Sequence, residues 1–242
     1  MFVNNRVICE PHERIIVALD EMNEEQARSR VRLLAPHVGG FKVGSELCAV
    51  MGDREAIALI NDAGKKCLLD RKLFTTPRAM EQTTRVWAGY APWIFTVHAS
   101  AGPTGLAAVA KSKQSMLMAG VTVFTSMLEP ECRHVFREAP TTRVLRLALD
   151  LVDAGADAIM CSRPDLTRLG GEPQFDSLLR VVAGIRPTDA NIDDRERYST
   201  AEDAVRNGAD YLVIGSAITL DRSPLDAAKR FTDEIGKAPT RA

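Results

Sequence analysis

Eight times along this chain a short apolar run is followed by a longer amphipathic stretch, with no linker or shift of composition between the repeats. That rhythm constrains the fold more than any single motif. Short buried strands joined by helices predict a parallel sheet, because a parallel strand pair needs a crossover long enough to hold a helix. Strands are expected at residues 14–20, 40–44, 66–72, 94–99, 121–126, 158–162, 179–185 and 211–215. Local signals mark the helices between them. Asn23 with Gln26 three residues on forms a capping-box pattern ahead of an apolar face of Ala27, Val31 and Leu34, which Pro36 ends. A further helix runs from about Asp53 to Gly64, where a left-handed cap suits glycine, and Ser223-Pro224-Leu225-Asp226 opens the last one. Residues 154–162 and 207–215 repeat one another, each with a helix-ending Gly, an Asp and an entering strand. A doubly wound sheet fits the periodicity as well. Eight units in one unbroken run favour a single (β/α)8 TIM barrel, with residues 1–242 as one domain. Two irregular pieces, 127–142 with a short helix near 131–138 and the charged stretch 187–199, read as loops over one face.

Composition narrows the function. With 45% hydrophobic and 26% charged residues among 242, the chain can bury a sizeable core. A net charge of -1 exerts no long-range pull on nucleic acid or an anionic membrane, so neither is an expected partner and small ligands met by a local charge cluster are favoured. Cys9, Cys48, Cys67, Cys132 and Cys161 are odd in number and lack metal-site spacing, which predicts reduced thiols and no zinc. No apolar run is long enough to span a membrane and residues 1–14 are too polar for a signal peptide. A soluble, cytoplasmic protein is therefore expected. Glycine-rich nucleotide loops are absent, which argues against an ATP or dinucleotide site.

In a barrel the C-terminal strand ends converge on one mouth, where enzymes of that fold place their chemistry. Asp20, Lys42, Asp70, Lys72, His98 and Ser126 all fall at expected strand ends. Asp70 and Lys72, two apart, would share one face of their strand. A carboxylate beside an ammonium costs desolvation unless each stabilises the other's charged form. Taken alone the pair reads as a structural ion pair; in this company it reads as an acid-base site. His98 is expected to be a hydrogen-bonded core histidine rather than a catalyst. Trp87 and Trp93 read as packing, and His12, His37 and His134 as surface residues.

An ordered set of segments carries a resemblance: Val17-Ala18-Leu19-Asp20, Phe41-Lys42-Val43-Gly44, Leu69-Asp70-Arg71-Lys72, Val97-His98-Ala99, residues 122–127, Gly184-Ile185-Arg186-Pro187 and residues 208–215. Together they resemble orotidine 5'-phosphate decarboxylases of the bacterial type over residues 14–230. The resemblance implies a (β/α)8 barrel acting as a homodimer, with active sites at the interface and no metal or organic cofactor. It implies decarboxylation of orotidine 5'-phosphate to uridine 5'-phosphate, a phosphorylated small-molecule substrate. By the same resemblance Asp20 would hold ribose hydroxyls, Lys42 would bridge ribose and the charged array, and Asp70 would face the substrate carboxylate. Lys72 would protonate carbon 6 and Ser126 would bond the pyrimidine edge.

Departures from the family pattern are equally specific. The motif Asp-x-Lys-x-x-Asp ends in an acid that serves the neighbouring subunit's site, and here that position is Thr75. With Lys42 and Lys72 facing Asp70 alone, one positive charge is left over, which predicts a lowered proton affinity for the lysines and a more anionic ligand. Where the family has Gly-Arg at the eighth strand, gripping the 5'-phosphate, this chain has Gly215-Ser216. Arg186 and Arg195 stand at other phosphate-side positions and are the expected replacements, while Ser216 still offers a hydroxyl and a backbone N–H. Arg71 is expected to point away from the mouth. A second reading thus stays open: a divergent relative acting on another pyrimidine nucleotide or sugar phosphate, or a ligand-binding barrel without catalysis.

Overall fold

A computed structural model describes residues 2–3, 6–7, 9–20, 23–188 and 198–238. Phe2–Val3 (β1) and Arg6–Val7 (β2) form a short antiparallel pair. The next eight strands are β3 (Ile15–Ala18), β4 (Gly40–Gly44), β5 (Lys66–Leu73), β6 (Ile94–His98), β7 (Leu117–Val121), β8 (Ala158–Cys161), β9 (Leu179–Ala183) and β10 (Tyr211–Ile214). They close into an all-parallel barrel in sequence order, β10 pairing with β3. Around it lie α1 (Glu24–Leu34), α2 (Ser45–Met51), α3 (Asp53–Asp62), α4 (Pro77–Tyr90), α5 (Gly102–Ser112), α6 (Glu129–Phe136), α7 (Pro140–Asp153), α8 (Arg163–Leu169), α9 (Ala201–Arg206), α10 (Ser216–Thr219) and α11 (Pro224–Lys237). The expected barrel is thus the observed one.

Strand alternation sorts the side chains into two cores. Ile16 and Ala18, Leu68, Ile94, Ala119, Ala158, Leu179 and Val181, Tyr211 and Val213 fill the barrel interior. Their neighbours Ile15, Val17, Phe41, Val43, Cys67, Leu69, Phe95 and Val97 pack outward against the helices. The same parity turns Lys42, Asp70, Thr96 and His98 inward. These four lie toward the mouth, and at the opposite end Lys66 closes the floor, its Nζ 3.3 Å from the Tyr211 hydroxyl and 5.4 Å from the centre of the Trp93 ring.

Helix starts follow the sequence signals. Asn23 and Gln26 exchange both capping-box hydrogen bonds, and Ala27, Val31 and Leu34 are the buried face of α1. Gly64 has a φ of +67°, the left-handed turn that glycine adopts at no steric cost. Two expectations need correction. The fifth barrel strand is Leu117–Val121 rather than residues 121–126, and the chain beyond it closes a turn with Met127 N–H donating to the Phe124 carbonyl at 2.9 Å. The β-branched run after Val121 outscores Leu-Met-Ala-Gly-Val in propensity, yet position in the closed barrel decides the strand. Helix α2, directly after β4, was not expected at all. The stretch 127–142 contains α6 and the start of α7, and most of 187–199 lies outside the described residues.

Candidate active site

Asp70 and Lys72 do lie side by side, but by a different device from regular alternation. Between Leu69, paired with Phe95, and Leu73, paired with Val97, β5 advances four residues while β6 advances two. Lys72 takes a left-handed backbone conformation with φ 45°. A bulge of this kind bends the strand and re-aims side chains at an active site. Thr96 on β6 holds it in place. Its hydroxyl accepts from the Lys72 backbone N–H at 2.7 Å and donates to Asp70 Oδ1 at 2.9 Å. Sequence reasoning missed Thr96; its signal is a polar residue at the inward parity of an otherwise apolar strand.

The charges form a chain of alternating sign. Lys72 Nζ is 2.8 Å from Asp70 Oδ2, Lys42 Nζ is 3.5 Å from the same oxygen, and Lys42 Nζ is 2.7 Å from Asp20 Oδ1. Asp70 and Lys42 are nearly buried, at 9% and 10% side-chain exposure, whereas Lys72 keeps 37% toward the mouth. Burial alone would lower the Lys42 pKa, yet the Asp70 and Asp20 carboxylates outweigh it and raise the pKa above the ordinary lysine value. For Asp70 burial pushes upward, and the two ammonium groups with the Lys72 and Thr96 hydrogen bonds hold the pKa below the usual carboxylate value. The expected surplus of positive charge is therefore corrected. Asp20 supplies the second carboxylate, and the affinity of Lys42 for its proton rises instead of falling.

Gly44 leaves space beside that arrangement. It sits opposite Asp70 across the β4–β5 ladder, and a Cβ there would lie 2.9 Å from Asp20 Oδ1 and 3.1 Å from Lys42 Nζ. A side chain there would crowd the Asp20–Lys42 pair, whose flexible ends would have to shift. His98, at the end of β6, accepts a hydrogen bond on Nδ1 from the Ser100 N–H at 3.2 Å, which puts its own proton on Nε2. Burial, reinforced by the charges of Lys72 and Arg143, lowers its pKa and keeps it neutral. Its ring stacks on Phe74 and meets Phe124 edge-on. The structural role expected of His98 agrees with these contacts.

The remaining expected residues are spread more widely. Ser126 lies exposed in the turn beyond β7, and Thr75 is exposed between β5 and α4. Gly215 follows β10, and Ser216 opens α10. A cavity of about 260 Å3 is lined by Asp20, Gln26, Arg30, Gly215, Ser216 and Thr219, so the lysine-aspartate chain continues into it through Asp20. Arg186 stacks on Tyr198 at 4.5 Å and donates to the Ile185 carbonyl, its described contacts all within its own loop. Arg195 lies outside the described residues. Arg71 does point outward, with Nε 3.4 Å from Asp53 Oδ1; the other Asp53 oxygen accepts from Trp87 Nε1 at 2.9 Å. That residue ties β5 to α3 and α4. Among the described residues no three His, Cys, Asp or Glu side chains come together as a metal site, and no helix is long and apolar enough to cross a membrane.

A closed parallel barrel with alternating lysines and aspartates at the carboxyl ends of its strands has the architecture of a TIM-barrel enzyme. Comparison with known proteins narrows that class. The profile of the orotidine 5'-phosphate decarboxylase / HUMPS family matches residues 13–231, and the chain belongs to that family. An orotidine 5'-phosphate decarboxylase of Thermobifida fusca is 36% identical over 224 residues, covering 92% of this chain and 96% of the relative. Another, of Nitrosospira multiformis, is 35% identical over 225 residues, covering 92% and 93%. The crystal structure of orotidine 5'-phosphate decarboxylase from Lactobacillus acidophilus superposes with a TM-score of 0.79 at 27% identity, over 91% of this chain and 98% of that one.

Proposed function

We propose that this protein is a cofactor-independent carboxy-lyase that converts orotidine 5'-phosphate to uridine 5'-phosphate, with Lys72 as the proton donor. The observation that carries this reading is the Asp20–Lys42–Asp70–Lys72 chain at the barrel mouth of a member of this family. When the bond between carbon 6 and the carboxyl carbon breaks, carbon dioxide leaves and the electron pair stays on carbon 6. A fixed ammonium stabilises that developing charge more than it stabilises the substrate. Lys72 then gives carbon 6 a proton and regains one from water. Asp70 holds Lys72 at 2.8 Å and disfavours a substrate carboxylate placed beside it. Lys42 and Asp20 reach toward the ribose, Ser126 meets the pyrimidine edge, and the 5'-phosphate lies near Gly215 and Ser216, with Arg186 and Arg195 as further phosphate-side residues.

The same reading makes residues 1–242 one barrel domain of a cytoplasmic homodimer. In its support, Phe74, Phe124, Leu128 and Val135 are apolar yet 39% to 62% exposed, and Phe74 and Phe124 flank His98 near the mouth. An apolar rim beside the site is what a second copy would cover. Sedimentation velocity should give twice the chain mass; a monomer at micromolar concentration refutes the dimer.

The test of the reaction is carbon dioxide release from orotidine 5'-phosphate, with Lys72→Ala as the control. Release that disappears in the variant upholds the reading, and its absence from the wild-type protein overturns it. Thr75 and Ser216, where the family pattern has an acid and an arginine, favour a second reading in which another pyrimidine nucleotide or a sugar phosphate is the substrate. Uridine 5'-phosphate should raise the melting temperature under the first reading and leave it nearly unchanged under a sugar-phosphate version of the second.

A further inference from the structure

Arg30 has no place in the site described so far, although it lines the cavity that Asp20 shares with Ser216. Gln26 and Arg30 stand four residues apart on α1 and so present their side chains on one face, beside the buried stripe of Ala27, Val31 and Leu34. One Arg30 nitrogen donates to the Thr219 carbonyl at 2.9 Å, which aims the guanidinium across the gap between α1 and α10. A guanidinium carries five N–H donors, and this bond uses one. Among the described residues no carboxylate pairs with Arg30. Asp20, the acid lining the same cavity, is bonded to Lys42 at 2.7 Å. A partly buried arginine whose bonds to the described residues leave donors over, an amide from Gln26 and hydroxyls from Ser216 and Thr219 are complementary to a tetrahedral oxyanion.

We propose that Arg30 binds the anionic end of the ligand, a phosphomonoester, in the cavity between α1 and α10. The assignment rests on the reading above that the ligand is a nucleotide monophosphate. At about 260 Å3 the cavity has ample room for a terminal phosphate group. Its continuity with Asp20 lets one ligand reach both Arg30 and the lysine-aspartate chain. Arg30 thereby supplies, from a different element, the positive charge that residue 216 lacks.

The test is calorimetric titration of the full chain with uridine 5'-phosphate and with uridine. Arg30→Gln removes the charge but keeps a donor for the Thr219 carbonyl, so the fold is retained. Losing a charge-assisted, forked contact should weaken uridine 5'-phosphate by roughly 10- to 100-fold and leave uridine within about twofold. Arg30→Lys, with charge but no fork, should fall between. Adding Ser216→Arg to Arg30→Gln should restore affinity for the phosphate, which a merely structural loss would not allow. Unchanged binding of uridine 5'-phosphate by Arg30→Gln overturns the proposal, as does an equal loss for uridine. If wild-type protein binds neither nucleotide nor nucleoside, the decarboxylase reading fails and inorganic phosphate decides the subsite. A phosphate-induced rise in melting temperature that Arg30→Gln abolishes upholds it, and no rise in the wild-type protein overturns it.

Discussion

Replacing Thr96 by valine removes one hydroxyl from a fully buried position and almost no volume. That hydroxyl serves two masters, the Asp70 carboxylate at 2.9 Å and the Lys72 backbone N–H at 2.7 Å. A hydrogen bond to a charged group contributes about 1.5–3 kcal/mol, and a stranded buried donor costs about 1–3 kcal/mol. The sum is about 2.5–6 kcal/mol. Lys72 stands at the mouth with 37% of its side chain exposed, and water reaching its amide recovers part of that loss. Thr96→Val should therefore destabilise the fold by about 2–4 kcal/mol in equilibrium urea unfolding. It should also lower carbon dioxide release at least tenfold, because the bulge that aims Lys72 loses its anchor. Without this bond Asp70 loses one of the contacts that depress its pKa, so the stability lost on acidification below the unfolded value near 3.9 should be smaller and should level off at a higher pH. Thr96→Ser keeps the hydroxyl and should behave nearly as wild type. A valine variant within about 0.5 kcal/mol of wild type and with undiminished turnover would refute the claim that Thr96 holds the bulge.

Other perturbations probe the rest of the array. Gly44→Ala meets no backbone strain at φ -98°, so its effect comes from crowding the Asp20–Lys42 pair. We expect kcat/KM to fall by about tenfold, near 1.4 kcal/mol, with the melting temperature little changed; full activity would show that the pair adapts freely. His98 has a depressed pKa, so the unfolded chain binds a proton below its ordinary value near 6.5 before the folded protein does, and stability drops as pH falls. His98→Gln should flatten that drop in unfolding measured between about pH 7.5 and 5.5, and an unchanged slope would exclude His98 as its source. The signs for the ion pairs bracket the neutral range. Asp70's contribution is present above its unfolded value near 3.9 and lost as pH falls through the folded one, and that of Lys42 is present below about 10.4 and lost as pH rises through its folded value. Finally, Thr75→Asp should raise turnover of orotidine 5'-phosphate if the site performs the family reaction, and a fall would favour a rebuilt specificity.

Much of the architecture was legible in advance because it depends on short-range patterns. Residues 40–44 and the Asn23–Gln26 cap were read at their observed positions, since strand periodicity and capping are local properties. Residues 117–121 were not. There a strand of modest propensity forms because β6 and β8 leave one place between them, and no neighbouring residue in sequence encodes that constraint. Arg71 likewise made sense only once Asp53 and Trp87, far along the chain, were seen beside it.

By itself the sequence determined the eightfold alternation and the family motifs around Lys42, Asp70 and Lys72. Tertiary structure alone decided how those groups are charged and aimed. The bulge at Lys72, the Thr96 hydroxyl beneath it and the space above Gly44 arise from contacts across strands. The pairing of Asp20 with Lys42 cancelled the surplus positive charge that the motif suggested. A proton's affinity depends on distances of a few ångströms and on burial, and both are set only when the barrel closes.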